Sequence, residues 1–321
     1  MIDNPQNFQT EIVDEINEIL DANISESSTL SEMSYKERCF LNGIIRQAKP
    51  KKILEVGVSA GGSSALILNA TKDFKDTKLY SVDYNEKWYK DNAKRTGFVI
   101  DEQFPHFKDR WQLYTGGTAA RFMEAIGGDI DLCLIDTAHI NPGEFLDFLI
   151  VLPYLSKNAI LVLHDTCLYS LIDGNLYATG GSWRNICYTN GVLFSCLKGQ
   201  KFTFNENLFY QYANIGATIL DELQDDKILD YLYLLTLPWY YLPSDNDILE
   251  CQNLFKKNYG DDFADRFLKI MLYNKELYSK RNAINTQAPR KKKGFKHQII
   301  TAFVSLIPSR KIRRKIYNPY Y

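Results

Sequence analysis

Ile53-Leu54-Glu55-Val56-Gly57-Val58-Ser59-Ala60-Gly61-Gly62-Ser63-Ser64 decides the reading of this chain. A short apolar run ends in glycines and is followed by small residues, the pattern of a buried strand that feeds a helix through a tight loop. Gly57 and Gly61 allow the backbone to turn sharply and to approach a ligand closely, and the helix N-terminus beyond offers free N–H groups to an anion. The spacing E-x-G-x-x-x-G is not the G-x-G-x-x-G of dinucleotide enzymes. The next apolar run, Lys78 to Val82, ends in Asp83. A carboxylate there suits two ribose hydroxyls, and the plainer alternative, an acid capping a turn, weakens when the acid stands one strand from such a loop.

The surrounding pattern is α/β. Ile53 to Val56, Lys78 to Val82, Leu132 to Ile135 and Ile160 to Leu163 read as buried strands with segments between them long enough for crossover helices. Lys201 to Phe204 and Asn214 to Leu220 read as two later strands, the second closing an antiparallel edge pair. Phe8 to Leu20, with Phe8, Ile12, Ile16 and Leu20 at helical spacing, and Tyr35 to Gln47 read as cover helices. The helix after the third strand is expected to start with Asn141 as N-cap, Pro142 at N1 and Glu144 at N3. The expected fold is a doubly wound, mainly parallel seven-stranded sheet. Its divisions are cover helices over 1–50, a binding domain over 51–221, a helical extension over 222–283, and a linker with a basic amphipathic tail over 284–321.

Glu55, Gly57, Gly61 and Asp83 together resemble the class I S-adenosylmethionine (SAM)-dependent methyltransferases, over roughly residues 35 to 220. The resemblance implies that Asp83 binds ribose and that Thr115-Gly116 borders adenine. Ser59 stands where many members carry glycine. SAM is the implied cofactor, held by Glu55, Gly57, Ser59, Gly61, Asp83 and Gly116.

A second constellation carries the reaction. Asp136-Thr137-Ala138-His139 and His164-Asp165-Thr166 lie at the ends of two strands that a helix separates. Carboxyl ends of neighbouring strands open into one crevice, so two distant aspartates converge there and suggest a hard divalent cation such as Mg²⁺. This resembles the subset of class I methyltransferases with I-D-x-x-H followed by H-D, which includes cephalosporin-hydroxylase-like proteins and macrolide sugar O-methyltransferases. The resemblance implies that Asp136 and Asp165 hold the metal and that His139 is the base. His164, where some relatives have an acidic ligand, joins the ligand set. A metal lowers the pKa of an acceptor hydroxyl and fixes its position while a neutral imidazole takes the proton. The plainer alternative is that both aspartates cap helices and His139 is a satisfied surface residue.

The 321 residues are 45% hydrophobic and 24% charged, which excludes a disordered tail protein, and no apolar run approaches the roughly 20 residues that span a bilayer. Six cysteines without a C-x-x-C pair argue against a zinc knuckle, a redox motif or a disulfide framework and are read as buried thiols. A cytoplasmic protein is expected, since no secretory signal opens the chain. The net charge of -1 conceals an asymmetry: residues 290–321 hold ten Lys or Arg and no acid, against 28 basic and 39 acidic residues before them. That tail suits peripheral contact with the inner face of an anionic membrane as well as it suits mere solvation, and the acidic body argues against nucleic acid. Gly180-Gly181 and Trp183-Arg184 read as a lid. The aromatic run Tyr231 to Tyr241 reads as helical packing or a homo-oligomer interface more than as a substrate site.

The expected function is therefore SAM-dependent, metal-assisted O-methylation of a sugar hydroxyl on a bacterial surface polysaccharide or glycosylated metabolite. Two rivals remain. One is a nucleotide-sugar oxidoreductase with an atypical loop, which lacks a Tyr-x-x-x-Lys pair because Tyr35-Lys36 and Tyr89-Lys90 are adjacent. The other is an inactive assembly factor that keeps the fold.

Overall fold

Short runs dominated by Ile, Leu and Val become the central strands, largely buried on both faces. The computed structural model describes residues 11–21, 23–25, 28–74, 76–170, 186–203, 214–221 and 227–287. Its strands are β1 (Asn23–Ser25), β2 (Ser28–Thr29), β3 (Lys52–Val56), β4 (Lys78–Asp83), β5 (Trp111–Thr115), β6 (Ile130–Ile135), β7 (Leu155–His164), β8 (Gly199–Thr203) and β9 (Ile215–Leu220). The first two pair as a small ribbon, and the rest form a seven-stranded sheet in the order β5-β4-β3-β6-β7-β9-β8. Strands β3 to β7 pair in parallel, whereas β9 runs antiparallel to both β7 and β8.

The helices are α1 (Glu11–Leu20), α2 (Tyr35–Ala48), α3 (Gly62–Ala70), α4 (Phe98–Gln103), α5 (Met123–Ile126), α6 (Gly143–Val151), α7 (Thr189–Cys196), α8 (Ile228–Leu234), α9 (Asp245–Tyr259) and α10 (Asp261–Gln287). Because side chains alternate across a strand, Leu54, Val56, Cys133 and Ile135 face a core with Phe148, Tyr231, Trp239, Phe255 and Phe267. Ile53, Leu132 and Leu134 face the opposite core, with Ile16, Leu41, Ile44 and Leu66. The chain reverses strand order at β3, with β4 on one side and β6 on the other, so a crevice opens at the carboxyl ends of β3, β4 and β6.

The fold class is as expected, and several local readings change. β5 escapes the sequence reading because Gln112 interrupts any apolar run and all its residues are partly exposed or exposed. Within the expected helical extension, Trp239, Phe255 and Phe267 share one core with the sheet. The boundary at 283 falls inside α10, which continues to Gln287; no glycine or proline stops it before Pro289. The thiols are not uniformly buried: Cys133, Cys187 and Cys251 are, Cys39 and Cys167 are half-buried, and Cys196 is exposed. Among the described residues no helix is long and apolar enough to cross a membrane. The lid residues Gly180, Gly181, Trp183 and Arg184 and the basic tail lie outside the described residues.

Candidate active site

The loop after β3 is shaped by two backbones in contact. Gly57 has φ +97°, and a Cβ on it would stand 1.7 Å from the carbonyl oxygen of Asp136, so only glycine lets the two strand ends meet. The Gly57 N–H donates to Val82 O at 2.8 Å, and the Asp136 N–H donates to Val56 O at 2.9 Å. Asp83 closes the loop from the neighbouring strand: its Oδ2 accepts from the N–H groups of Val58 and Ser59 at 2.9 and 3.0 Å. Its Oδ1 accepts from Asn85 N–H at 2.8 Å. Ser59 holds a left-handed φ of 53°, and its hydroxyl accepts from the Trp88 indole N–H at 3.1 Å.

These groups line one cavity of about 810 Å³, together with Asp136 and His139. Gly57, Ser59 and Asp83 stand on its wall, whereas Gly61 and Gly116 do not; Gly116 lines the adjoining open cleft. Glu55 is elsewhere. It is fully buried, and its carboxylate accepts from the hydroxyls of Ser63, Ser64 and Ser81 at 2.5 to 2.6 Å. Burial pushes its pKa up to about 7 against those three donors, so Glu55 latches β3 to β4 and α3 rather than facing a ligand.

The second half of the site is made of side chains. His139 Nε2 lies 3.3 Å from Asp165 Oδ2, and its Nδ1 lies 3.2 Å from Glu144 Oε1 and 4.0 Å from Asp136 Oδ1. His164 Nδ1 is 3.3 Å from Asp136 Oδ2 and 3.4 Å from Asp165 Oδ2, while its Nε2 is 3.5 Å from Glu37 Oε2. His139 and Asp165 both hold left-handed backbones, φ 60° and 57°. Strain of this kind persists only where the surroundings fix it, and here it aims two side chains at one point. Asn214 reinforces the aim by donating to Asp165 Oδ1.

The charges explain the titration. Burial would lower the His139 pKa, but the hydrogen bond and charge of Glu144, with Asp165 and Asp136, raise it to about 9. Burial likewise opposes protonation of His164, and Asp136 and Asp165 overcome it, holding that ring's pKa well above its ordinary value. Burial would raise the carboxyl pKa of Asp165, and the two histidines hold it below the usual range. Four carboxylates, from Glu37, Asp136, Glu144 and Asp165, therefore face two imidazoles, and protonating both rings still leaves an excess of negative charge.

That donor set fits a divalent cation. One ligand atom each from Asp136, His139 and Asp165 lie within 4.8 Å of one another. Donors on one small divalent ion sit at about 2.1 Å from it, hence at most about 4.2 Å apart, so a closure of a fraction of an ångström would let Asp136 and Asp165 share one ion with the His139 ring beside it. Nδ1 of His139 and both ring nitrogens of His164 are buried and face carboxylate oxygens, the nearest at 3.2 to 3.5 Å. Asp136 and His139 stand on the cavity wall, whereas Asp165 and His164 do not; His164 bridges the two aspartates to Glu37.

Two acids of this cluster carry roles the sequence reading did not give them. Glu37 is N3 of the Ser34 capping box on α2, and the same carboxylate reaches His164. Glu144 does not sit at N3: α6 begins at Gly143, and Pro142 is its N-cap, without a side-chain cap bond. Asn141 is drawn away by a tertiary contact, its amide donating to Leu237 O at 2.6 Å, and this frees Glu144 to accept from His139 N–H at 2.6 Å and from the Thr189 hydroxyl. Asp147 and Tyr241 also line the cavity; burial pushes the Asp147 carboxyl up to about 7, where it accepts from the Thr137 hydroxyl at 2.7 Å.

Comparison with known families agrees with this geometry. Residues 54–166, the span from β3 to the end of β7, match the family described as a methyltransferase domain. Over that span the chain is similar to methyltransferase domains. No curated protein matches the chain. Among solved structures, the SAH-bound methyltransferase PaMTH1 of Podospora anserina is similar at 16% identity and TM-score 0.46, covering 67% of this chain and 97% of that one. The O-methyltransferase of Bacillus cereus in complex with SAH is similar at 14% identity and TM-score 0.45, covering 66% and 92%. The matched methyltransferase segment contains Gly57, Asp83, Asp136, His139 and Asp165, the residues on which both halves of the site depend.

Proposed function

We propose that this chain transfers the methyl group of SAM to a sugar hydroxyl, assisted by a divalent cation held by Asp136 and Asp165, in the assembly of a surface polysaccharide or glycosylated metabolite. The observation that carries the reading is the convergence of Asp136, His139 and Asp165 beside the cavity that Gly57 and Asp83 also line. The loop N–H groups and Asp83 would seat the nucleoside, and the sulfonium methyl would then face the acid and imidazole cluster, as in-line displacement requires. A divalent cation, Mg²⁺ by its oxygen-rich donors, would lower the pKa of the acceptor hydroxyl and offset the negative charge that otherwise keeps His139 protonated. His139 takes the hydroxyl proton on a ring nitrogen, and Glu144 and Asp165 stabilise the imidazolium that results. His164, held between Asp136, Asp165 and Glu37, keeps both strand-end acids in position.

Calorimetric titration with SAM and separately with NAD is the test: micromolar binding of SAM and none of NAD supports the reading, and binding of NAD alone overturns it. The ten basic residues of 290–321 would bring the acceptor's membrane within reach, with about 1 kcal/mol per basic residue at an anionic surface.

A further inference from the structure

Tyr89 is an exposed aromatic residue held in place by its neighbours, with Lys90 Nζ 5.4 Å from its ring centroid. The residue is 59% exposed, yet its hydroxyl is tied to Glu32 Oε1, and Lys90 Nζ holds the same carboxylate oxygen at 2.7 Å. An exposed ring normally rotates freely; this one is tethered, which costs side-chain entropy and buries little in return. Tyr84 is arranged the same way, 56% exposed with its hydroxyl donating to Asp247 Oδ2 at 3.1 Å.

The position of Tyr89 gives the tether a purpose. It lines the reaction cavity. It also lines a second, open cleft of about 610 Å³ together with Tyr84, Asn85, Glu86, Lys87 and Asn92. The cleft therefore continues outward from the reaction cavity across two fixed aromatic faces, and its remaining side chains are amide, carboxylate and ammonium groups. Aromatic faces pack against the C–H faces of a pyranose ring, and planar polar groups pair with its hydroxyls. A nucleic acid would want several cations along such a cleft, and an apolar acceptor would want no such polar lining.

We infer that Tyr89 is the stacking platform for the acceptor sugar and that the outer cleft binds the saccharide units next to it, so that the preferred acceptor is an oligosaccharide rather than a single sugar. This rests on the proposed sugar O-methylation. Glu32 acts through Tyr89, as a positioning residue that fixes the plane of the ring.

The test uses the full chain with Mg²⁺, tritium-labelled SAM and surface glycan from the source bacterium, hydrolysed and fractionated by length. The wild type is expected to show a KM that falls as the fragments lengthen. Tyr89→Ala raises KM roughly tenfold on long fragments, with kcat and SAH affinity changed less than about threefold, since one lost ring contact of this size is about a factor of ten. Tyr89→Trp retains the ring and the low KM, and so separates loss of stacking from misfolding. An unchanged KM in Tyr89→Ala, or a loss of SAH affinity instead, overturns the inference while leaving sugar methylation intact. Failure of the wild type to methylate any fraction despite binding SAH overturns the sugar reading itself, and this inference with it.

Discussion

The two halves of the site are built from different materials. The loop at 57–62 is made of backbone, with glycine where two strand ends touch and N–H groups offered to Asp83. The cluster around His139 is made of side chains from α2, β6, α6 and β7, held by mutual charge. A backbone site fails by steric collision, and a charge cluster fails by losing one member. The cofactor half should therefore break together with the fold, whereas the reaction half should lose chemistry while the protein still binds.

The largest effect is expected at the contact between the halves. Gly57→Ala places a methyl group against the Asp136 carbonyl and forces a left-handed backbone on alanine; it should cost about 3 kcal/mol or more and abolish SAH binding, checked by thermal melting and calorimetry. Retained SAH affinity would mean that the loop does not seat the cofactor. Asp165→Asn should leave SAH affinity within about threefold and lower turnover about a thousandfold, and a chelator should reproduce that loss in the wild type. Equal turnover with and without chelator would remove the cation from the account.

Smaller effects sharpen the electrostatics. His139 has a folded-state pKa of about 9, above its ordinary 6.5, so the stability contributed by its protonated form is complete below about pH 6.5 and is lost as pH rises through about 9. The melting temperature of the metal-free wild type should fall across that window, and His139→Ala should flatten the profile. Glu37→Gln, which removes one of the three carboxylates facing His164, should reduce turnover roughly tenfold without altering SAH affinity. Glu55→Gln should be the mildest, about 1 kcal/mol in stability with SAH affinity unchanged, because its carboxyl meets only serine hydroxyls. A large loss of SAH affinity there would return Glu55 to the cofactor site.

What was legible in the sequence follows from the same contrast. Buried parallel strands announce themselves as apolar runs, and a glycine loop beside an acid is local in the chain, so β3, β4 and the placement of Gly57 and Asp83 on one cavity wall could be read directly. The convergence of Asp136, His139 and Asp165 followed from strand order alone. Glu37 was hidden because a serine three residues earlier already accounts for it as a cap. Glu144 was misplaced because Asn141 and Pro142 resemble a helix start, while the Asn141 amide is engaged by Leu237, far along the chain. Glu55 shares the glycine motif yet points into the core, since alternate residues of a strand face opposite sides.

The separation of binding from chemistry is tested most directly by following tritiated methyl transfer from SAM in His139→Ala alongside its SAH affinity. The account predicts wild-type affinity and a loss of transfer of at least about a hundredfold. Transfer at the wild-type rate, or affinity lost along with it, would contradict the assignment of His139 to the reaction.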